Sequence, residues 1–386
     1  MIRGCLRLAG LGAMFAAFSP LAARTWTNAY GRTFEADFVR VDGSNAIFKL
    51  ADGRHFSTPL AELSPADQTI VNGGRQAGRS ETVSASFGKP WPREVRLAGP
   101  VPCKVVSENP AARRFVYESP GYRFTCDSRV TDDALRNFAV MFEATRKYAH
   151  ELPLSLGGRE RAGKLDILLF GTQREYIRAG GMPGSAGCFT CGVVMVPMES
   201  IGLKEGGTGF SLDTSRHNAV LVHELAHQLT PDAYFSPGSL GWFSEGLAEY
   251  MAITPYNWGY FSPDVHGNAV KSHVTTQGST AMPGRALGTD ITAPRLRRFF
   301  LMSYGEFSGM NGNFNYGLGL LLTHYFLHME GGGKATRITR FLKGLHAGES
   351  GEAALQPLLD AGSYEKLEAD FAAAWQRMGV TVRFEK

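Results

Sequence analysis

His223-Glu224-Leu225-Ala226-His227 sets two imidazoles four residues apart with a carboxylate beside the first. On a helix, positions i and i+4 lie on one face, one turn apart, so both rings can reach a single metal ion. Glu224 then stands where it can take a proton from a water that such an ion activates. Val220, Leu221, Val222, Leu225, Ala226 and Leu229 make the surrounding helix apolar on most sides, and Pro231 ends it. A buried helix does not carry ionisable groups unless they are paired. The pentapeptide alone also arises by chance in unrelated proteins, so a third ligand has to be found.

The candidate lies in Gly241-Trp242-Phe243-Ser244-Glu245-Gly246-Leu247-Ala248-Glu249-Tyr250. Trp242, Phe243, Leu247, Ala248 and Met251 give this segment the pattern of a second buried helix, with Glu245 and Glu249 one turn apart on one face. His223, His227 and Glu245 would supply three protein ligands and leave a fourth position for water, the arrangement of a catalytic Zn2+. Glu249 would accept the free ring N–H of a ligating histidine and fix its tautomer. The alternative, two surface glutamates, sits poorly with so apolar a helix. Gly246 and Ala248 further suggest close packing against a neighbour.

HExxH followed by WxxEGxAE resembles the gluzincin metallopeptidases, and within them the peptidase-MA-like group of exported bacterial chains. The looser likeness spans about residues 115–345. It implies a zincin-like fold, a mixed sheet with active-site helices, and hydrolysis of a peptide or protein substrate. By this resemblance His223, His227 and Glu245 are the metal ligands, Glu224 the general base and Glu249 the acid behind the ligands. Tyr316, in Asn315-Tyr316-Gly317-Leu318-Gly319, is similar to the tyrosine that donates its hydroxyl to the tetrahedral intermediate in the aminopeptidase branch. A packing tyrosine at a helix start is the alternative. The Gly-Ala-Met-Glu-Asn pattern with which aminopeptidases hold a substrate's N-terminus is missing, which favours endopeptidase cleavage. Gly192 to Pro197 reads as a strand at a sheet edge, where an extended peptide can align by backbone hydrogen bonds. His217 reads as solvated, and His324 and His328 as helix-face residues rather than a second metal site.

These groups need a framework, and residues 93–386 read as one α+β domain. Phe115 to Glu118, Tyr122 to Cys126 and Leu165 to Phe170 are expected strands. A helix starts at Thr131-Asp132-Asp133 and runs through Phe138, Met141, Phe142 and Tyr148. A short helix is expected over 172–179. The stretch 253–312, rich in Gly, Ser, Thr and aromatics, reads as cleft-lining loops.

Residues 24–72 read as a separate β module with strands near 34–41, 46–50 and 55–60, a turn at Asp52-Gly53 and a short helix opened by Ser64-Pro65. Arg24-Thr25-Trp26-Thr27, Phe34-Glu35-Ala36, Asp52-Gly53-Arg54 and Leu63-Ser64-Pro65-Ala66-Asp67-Gln68 resemble the Sla homology domain of the first type. That likeness implies a small SH3-like β-barrel able to bind a peptide ligand. Gly-, Ser-, Arg- and Pro-rich residues 73–92 read as a linker. Arg3 and Arg7, the apolar run from Leu8 to Phe18 and the small residues Ala22 and Ala23 give residues 1–23 the form of a signal peptide, so the chain is expected to be periplasmic or extracellular. Past Cys5, the four cysteines Cys103, Cys126, Cys188 and Cys191 are compatible with two disulfides, with a local Cys188–Cys191 bridge favoured.

The chain has 386 residues and a net charge of +4. It holds no basic run interleaved with aromatics, which excludes nucleic acid as an implied partner. No segment supplies the roughly 20 apolar residues of a membrane span. An exported zinc-dependent peptidase is the leading expectation. A non-catalytic scaffold with a peptide-binding module, or a hydrolase of non-peptide amides, are the alternatives.

Overall fold

A computed structural model describes residues 24–27, 33–42, 45–50, 55–64, 67–68, 71, 86–157, 163–181, 183–190, 192–207, 209–212, 218–278 and 284–386. The expected signal peptide, the Asp52-Gly53 turn, most of the linker, Cys191 and His217 lie outside these residues. Of the described residues, 24–41 and 45–71 belong to one compact unit and 86–386 to a larger one.

In the small unit, β1 (Arg24–Thr27) pairs antiparallel with β2 (Thr33–Asp42), and β3 (Asn45–Lys49) with β4 (His55–Pro59), in one four-stranded sheet ordered β1-β2-β3-β4. Its core is aromatic. Buried Trp26 and Phe48 meet Phe38, and Phe48 stacks on Phe56. The Trp26 indole N–H donates to the Ala36 carbonyl at 2.9 Å, which satisfies the one polar atom of that buried ring.

The larger unit is α+β. Its strands are β5 (Val95–Arg96), β6 (Lys104–Asn109), β7 (Arg114–Glu118), β8 (Tyr122–Cys126), β9 (Leu165–Phe170), β10 (Cys188–Thr190), β11 (Val193–Pro197), β12 (Leu203–Gly206), β13 (Gly209–Leu212), β14 (Tyr256–Asn257), β15 (Tyr260–Phe261), β16 (Asp290–Ala293) and β17 (Thr381–Phe384). Six of them form the main sheet, in the order β10-β11-β9-β8-β7-β6. β8, β9 and β11 run parallel, while β10, β7 and β6 pair antiparallel with their neighbours.

The helices are α1 (Asp132–Glu151), α2 (Gln173–Arg178), α3 (Ala219–Leu229), α4 (Trp242–Ala252), α5 (His266–Thr275), α6 (Leu296–Phe300), α7 (Tyr304–Ser308), α8 (Gly312–His324), α9 (Thr336–Ala347), α10 (Gly351–Leu359) and α11 (Tyr364–Arg377). α1 begins where Thr131 accepts from the Ala134 amide, an N-cap, and buries Phe138, Met141, Phe142 and Tyr148 as the spacing predicts. Thr172 caps α2 in the same way.

Four expectations need correction. The strand over 193–197 is not at the edge: β11 pairs with β9 on one side and β10 on the other, and β10 takes the edge. Pro197 is tolerated because it is the last residue of its strand, where the ladder ends. The tail of the expected linker, residues 86–92, belongs to the larger unit, because Phe87 and Trp91 pack against that unit's core. The stretch 253–312 is largely regular, holding β14 to β16 and α5 to α7. Cys103 and Cys126 are free thiols, and burial pushes Cys103 up to about 11.

Candidate metal centre

α3 and α4 carry the chemistry-bearing residues and pack on each other, α3 also against β10 and β11, α4 also against α8. Gln228, at the end of α3, donates to the Asp166 carbonyl on β9 and to the Gly192 carbonyl before β11, each at 3.0 Å, tying the helix to the sheet. All eleven residues of α4 are buried. Gly241 precedes the helix at φ 86°, and a Cβ there would meet the Phe307 ring at 2.8 Å, so this start admits only glycine. The Gly241 amide donates to the Ser244 hydroxyl at 3.0 Å and closes the first turn.

On this frame three side-chain atoms converge. His223 Nε2 and His227 Nε2 are 3.1 Å apart, and Glu245 Oε2 lies 3.2 Å from the first and 3.1 Å from the second. Ring N–H bonds point along one direction each, so a closed triangle of three such contacts cannot be three good hydrogen bonds. Donors held ~2.0–2.2 Å from a tetrahedral ion stand roughly 3.3 Å from one another. The observed triangle is close to that, and one metal ion above its face would touch all three atoms and keep an open side. No other group of three or more His, Cys, Asp or Glu among the described residues is arranged to hold an ion.

Glu249 supports this triangle from behind. Its Oε1 lies 3.2 Å from His223 Nδ1, so that nitrogen carries a proton and Nε2 is the one left to bind an ion. His273 Nε2 reaches Glu249 Oε2 at 2.9 Å, and Arg285 grips both oxygens at 3.0 and 2.6 Å. Burial would raise the Glu249 carboxyl, but the hydrogen bonds from His223 and His273 and the Arg285 charge hold it well below the usual carboxylate range. Glu245 is likewise held low, against its burial, by the His227 charge and both imidazole hydrogen bonds. His223 is pushed the other way: burial opposes a charge, yet hydrogen bonds to Glu245 and Glu249 and the Glu224 charge carry it up to about 10. The carboxylates thus favour a positive charge at this point, which a proton or a metal ion can supply, in competition with each other.

Glu224 stands beside the triangle, not in it. It is half-buried, and the backbone of Phe189 on edge strand β10 favours its charged form. Burial raises its pKa further than the charges on His223 and His227 lower it, the direction a general base for neutral pH requires. A Cβ at Gly187 would come within 3.2 Å of the Glu224 side chain, so the chain before β10 approaches closely here.

Tyr316 lies in the second turn of α8, with its ring stacked 6.2 Å from that of His223 and the Arg285 guanidinium 4.9 Å above it. Phe307 of α7 meets its ring at 5.4 Å. All six residues singled out from the sequence therefore gather at one place: His223, Glu224, His227, Glu245, Glu249 and Tyr316. His273, Arg285 and Tyr304 were not foreseen. His324 and His328 take no part: their rings are 4.9 Å apart, His328 and His266 flank Tyr250 of α4, and His324 stacks on His266. Compared with known proteins, the chain matches no family model, no curated protein and no solved structure.

Proposed function

We propose that the larger unit is a zinc metallopeptidase of the gluzincin type, with a zincin-like arrangement of sheet and helices, and that it acts after export. The observation that carries this reading is the triangle of His223 Nε2, His227 Nε2 and Glu245 Oε2, closed to 3.1–3.2 Å and backed by Glu249 on His223 Nδ1. Two imidazoles and one carboxylate, with a carboxylate fixing the ring tautomer, form a donor set that suits Zn2+ better than the oxygen-preferring Mg2+ or Ca2+. Bound there, Zn2+ would act as a Lewis acid on the scissile carbonyl and acidify a water.

The chain's own residues do the rest. Glu224 takes the proton of the attacking water and passes it to the leaving amine. Tyr316, which burial and the Glu245 charge keep protonated, donates to the oxyanion as it forms. β10, the antiparallel edge strand beside Glu224, offers its outer backbone groups to an extended substrate. This role moves from residues 192–197, where the sequence pointed, to 188–190. A scaffold would have no need of a carboxylate at Glu224, beside the three converging donors but outside them.

The small unit's aromatic-cored, four-stranded sheet supports the SH3-like reading and with it a peptide ligand. Export rests on Arg3, Arg7 and the apolar run after them, and no helix among the described residues is long and apolar enough to cross a membrane. Digestion of a quenched peptide library tests the function. Cleavage should be abolished by a zinc chelator, restored by Zn2+, and absent in Glu224→Gln. Cleavage indifferent to both would refute the reading.

A further inference from the structure

Glu245 uses its two carboxylate oxygens differently. Oε2 faces the two imidazoles, whereas Oε1 accepts from the Tyr304 hydroxyl at 3.1 Å. Tyr304 is held independently of α4. It opens α7, whose N-cap Ser303 accepts from the Glu306 amide while the Glu306 carboxylate accepts from the Ser303 amide and hydroxyl at 2.9 and 2.7 Å. Phe307, on the same short helix, is buried against Phe299 and Tyr316. α7 therefore presents a fixed hydroxyl to the ligand's outer oxygen.

Ionised Glu245 can only accept, so the phenolic O–H of Tyr304 is the donor in this bond. A glutamate whose second oxygen is free can bind an ion through both oxygens. That would take the position which water and substrate need.

We propose that Tyr304 is a positioning residue that holds Glu245 to one-oxygen ligation by engaging its Oε1. The proposal rests on the metallopeptidase reading and adds to it a hydroxyl that no motif announces.

The test is the full chain carrying Tyr304→Phe, compared with wild type and Tyr316→Phe. Removing one oxygen from a ring that is 40% exposed leaves the packing of α7 in place, and a thermal melt of the metal-free proteins checks this. Zn2+ affinity, measured by competition with a chromophoric chelator, should fall about 10- to 100-fold in Tyr304→Phe. The visible bands of the Co2+-loaded variant should weaken, as they do when a four-coordinate ion gains a fifth ligand. Tyr316→Phe should keep the wild-type affinity and Co2+ spectrum while losing kcat. Tyr304→Phe with wild-type affinity and spectrum would overturn the proposal and leave the peptidase reading standing. A wild-type chain that binds neither ion would overturn both.

Discussion

Glu249 answers four nitrogens at once: Nδ1 of His223, Nε2 of His273 and two from Arg285. Removing its carboxylate would free the His223 ring to rotate and leave a guanidinium and an imidazole unpaired in a mostly buried place. Glu249→Ala should therefore weaken Zn2+ binding about 10- to 100-fold, measured by chelator competition, without changing any ligand. An unaltered affinity would mean that His223 is oriented by its packing alone. At this scale the sequence was informative wherever helical spacing linked the residues. His223 with His227, and Glu245 with Glu249, are i, i+4 pairs on apolar helices. His273, Arg285 and Tyr304 reach their partners across 24, 36 and 59 residues. They come from a stretch whose Gly- and Thr-rich composition conceals its short helices, so no local periodicity marks them.

At the scale of elements, the site depends on how closely α4 can lie on α8. A Cβ added at Gly246 would fall 2.4 Å from both the Gly319 carbonyl oxygen and Thr323 Oγ1, and one at Gly319 would fall 2.8 Å from the Trp242 carbonyl. The two glycines let the backbones touch, and this contact sets the depth at which Glu245 and Glu249 project. The clash meets backbone rather than a flexible side-chain end, so Gly246→Val should exceed the ~1–3 kcal/mol of ordinary overpacking. It should lower the melting temperature and the metal affinity together. A variant that melts with wild type would show that α4 can shift without cost. Gly246 and Ala248 made this contact legible in outline, and the apolar run did the same for the burial of α4; the Gly241 turn went unread. The position of the edge strand was not legible. Pro197 and the apolar run before it suit a strand's end as well as a sheet's edge, and only the three-residue β10 decides between them.

For the whole molecule, the far side of α4 adds a constraint on working pH. His266 and His328 pack around Tyr250 and His324 against both of them, with His266 Nε2 donating to the Tyr250 carbonyl at 2.8 Å and His328 Nε2 bonded to its hydroxyl at 2.7 Å. Burial lowers all three, to about 3, 2 and 4 respectively. They are neutral in the fold, while in the unfolded chain they bind protons below ~6.5. Their contribution is thus complete above pH 6.5 and is lost as pH falls from there toward 4, by up to ~1.4 kcal/mol per pH unit for each. Denaturant titrations between pH 7 and 4 should show this acid limb, and His324→Leu should make it shallower. An equal slope in that variant would place the acid sensitivity elsewhere. The α+β class and the division near residues 73–92 could be read from composition and strand signals. β5, β6, β12, β13 and the pairing of β16 with the C-terminal β17 could not, since these short, partly exposed strands carry little alternation and owe their register to partners far away in the chain.

The account stands on one ion held by His223, His227 and Glu245. Elemental analysis of the purified chain after exhaustive dialysis addresses it most directly. One zinc per wild-type chain is predicted, retained in Glu224→Gln and lost in His227→Ala and in Glu245→Ala. A wild-type chain without bound metal, or zinc kept at full occupancy in both ligand variants, would contradict it.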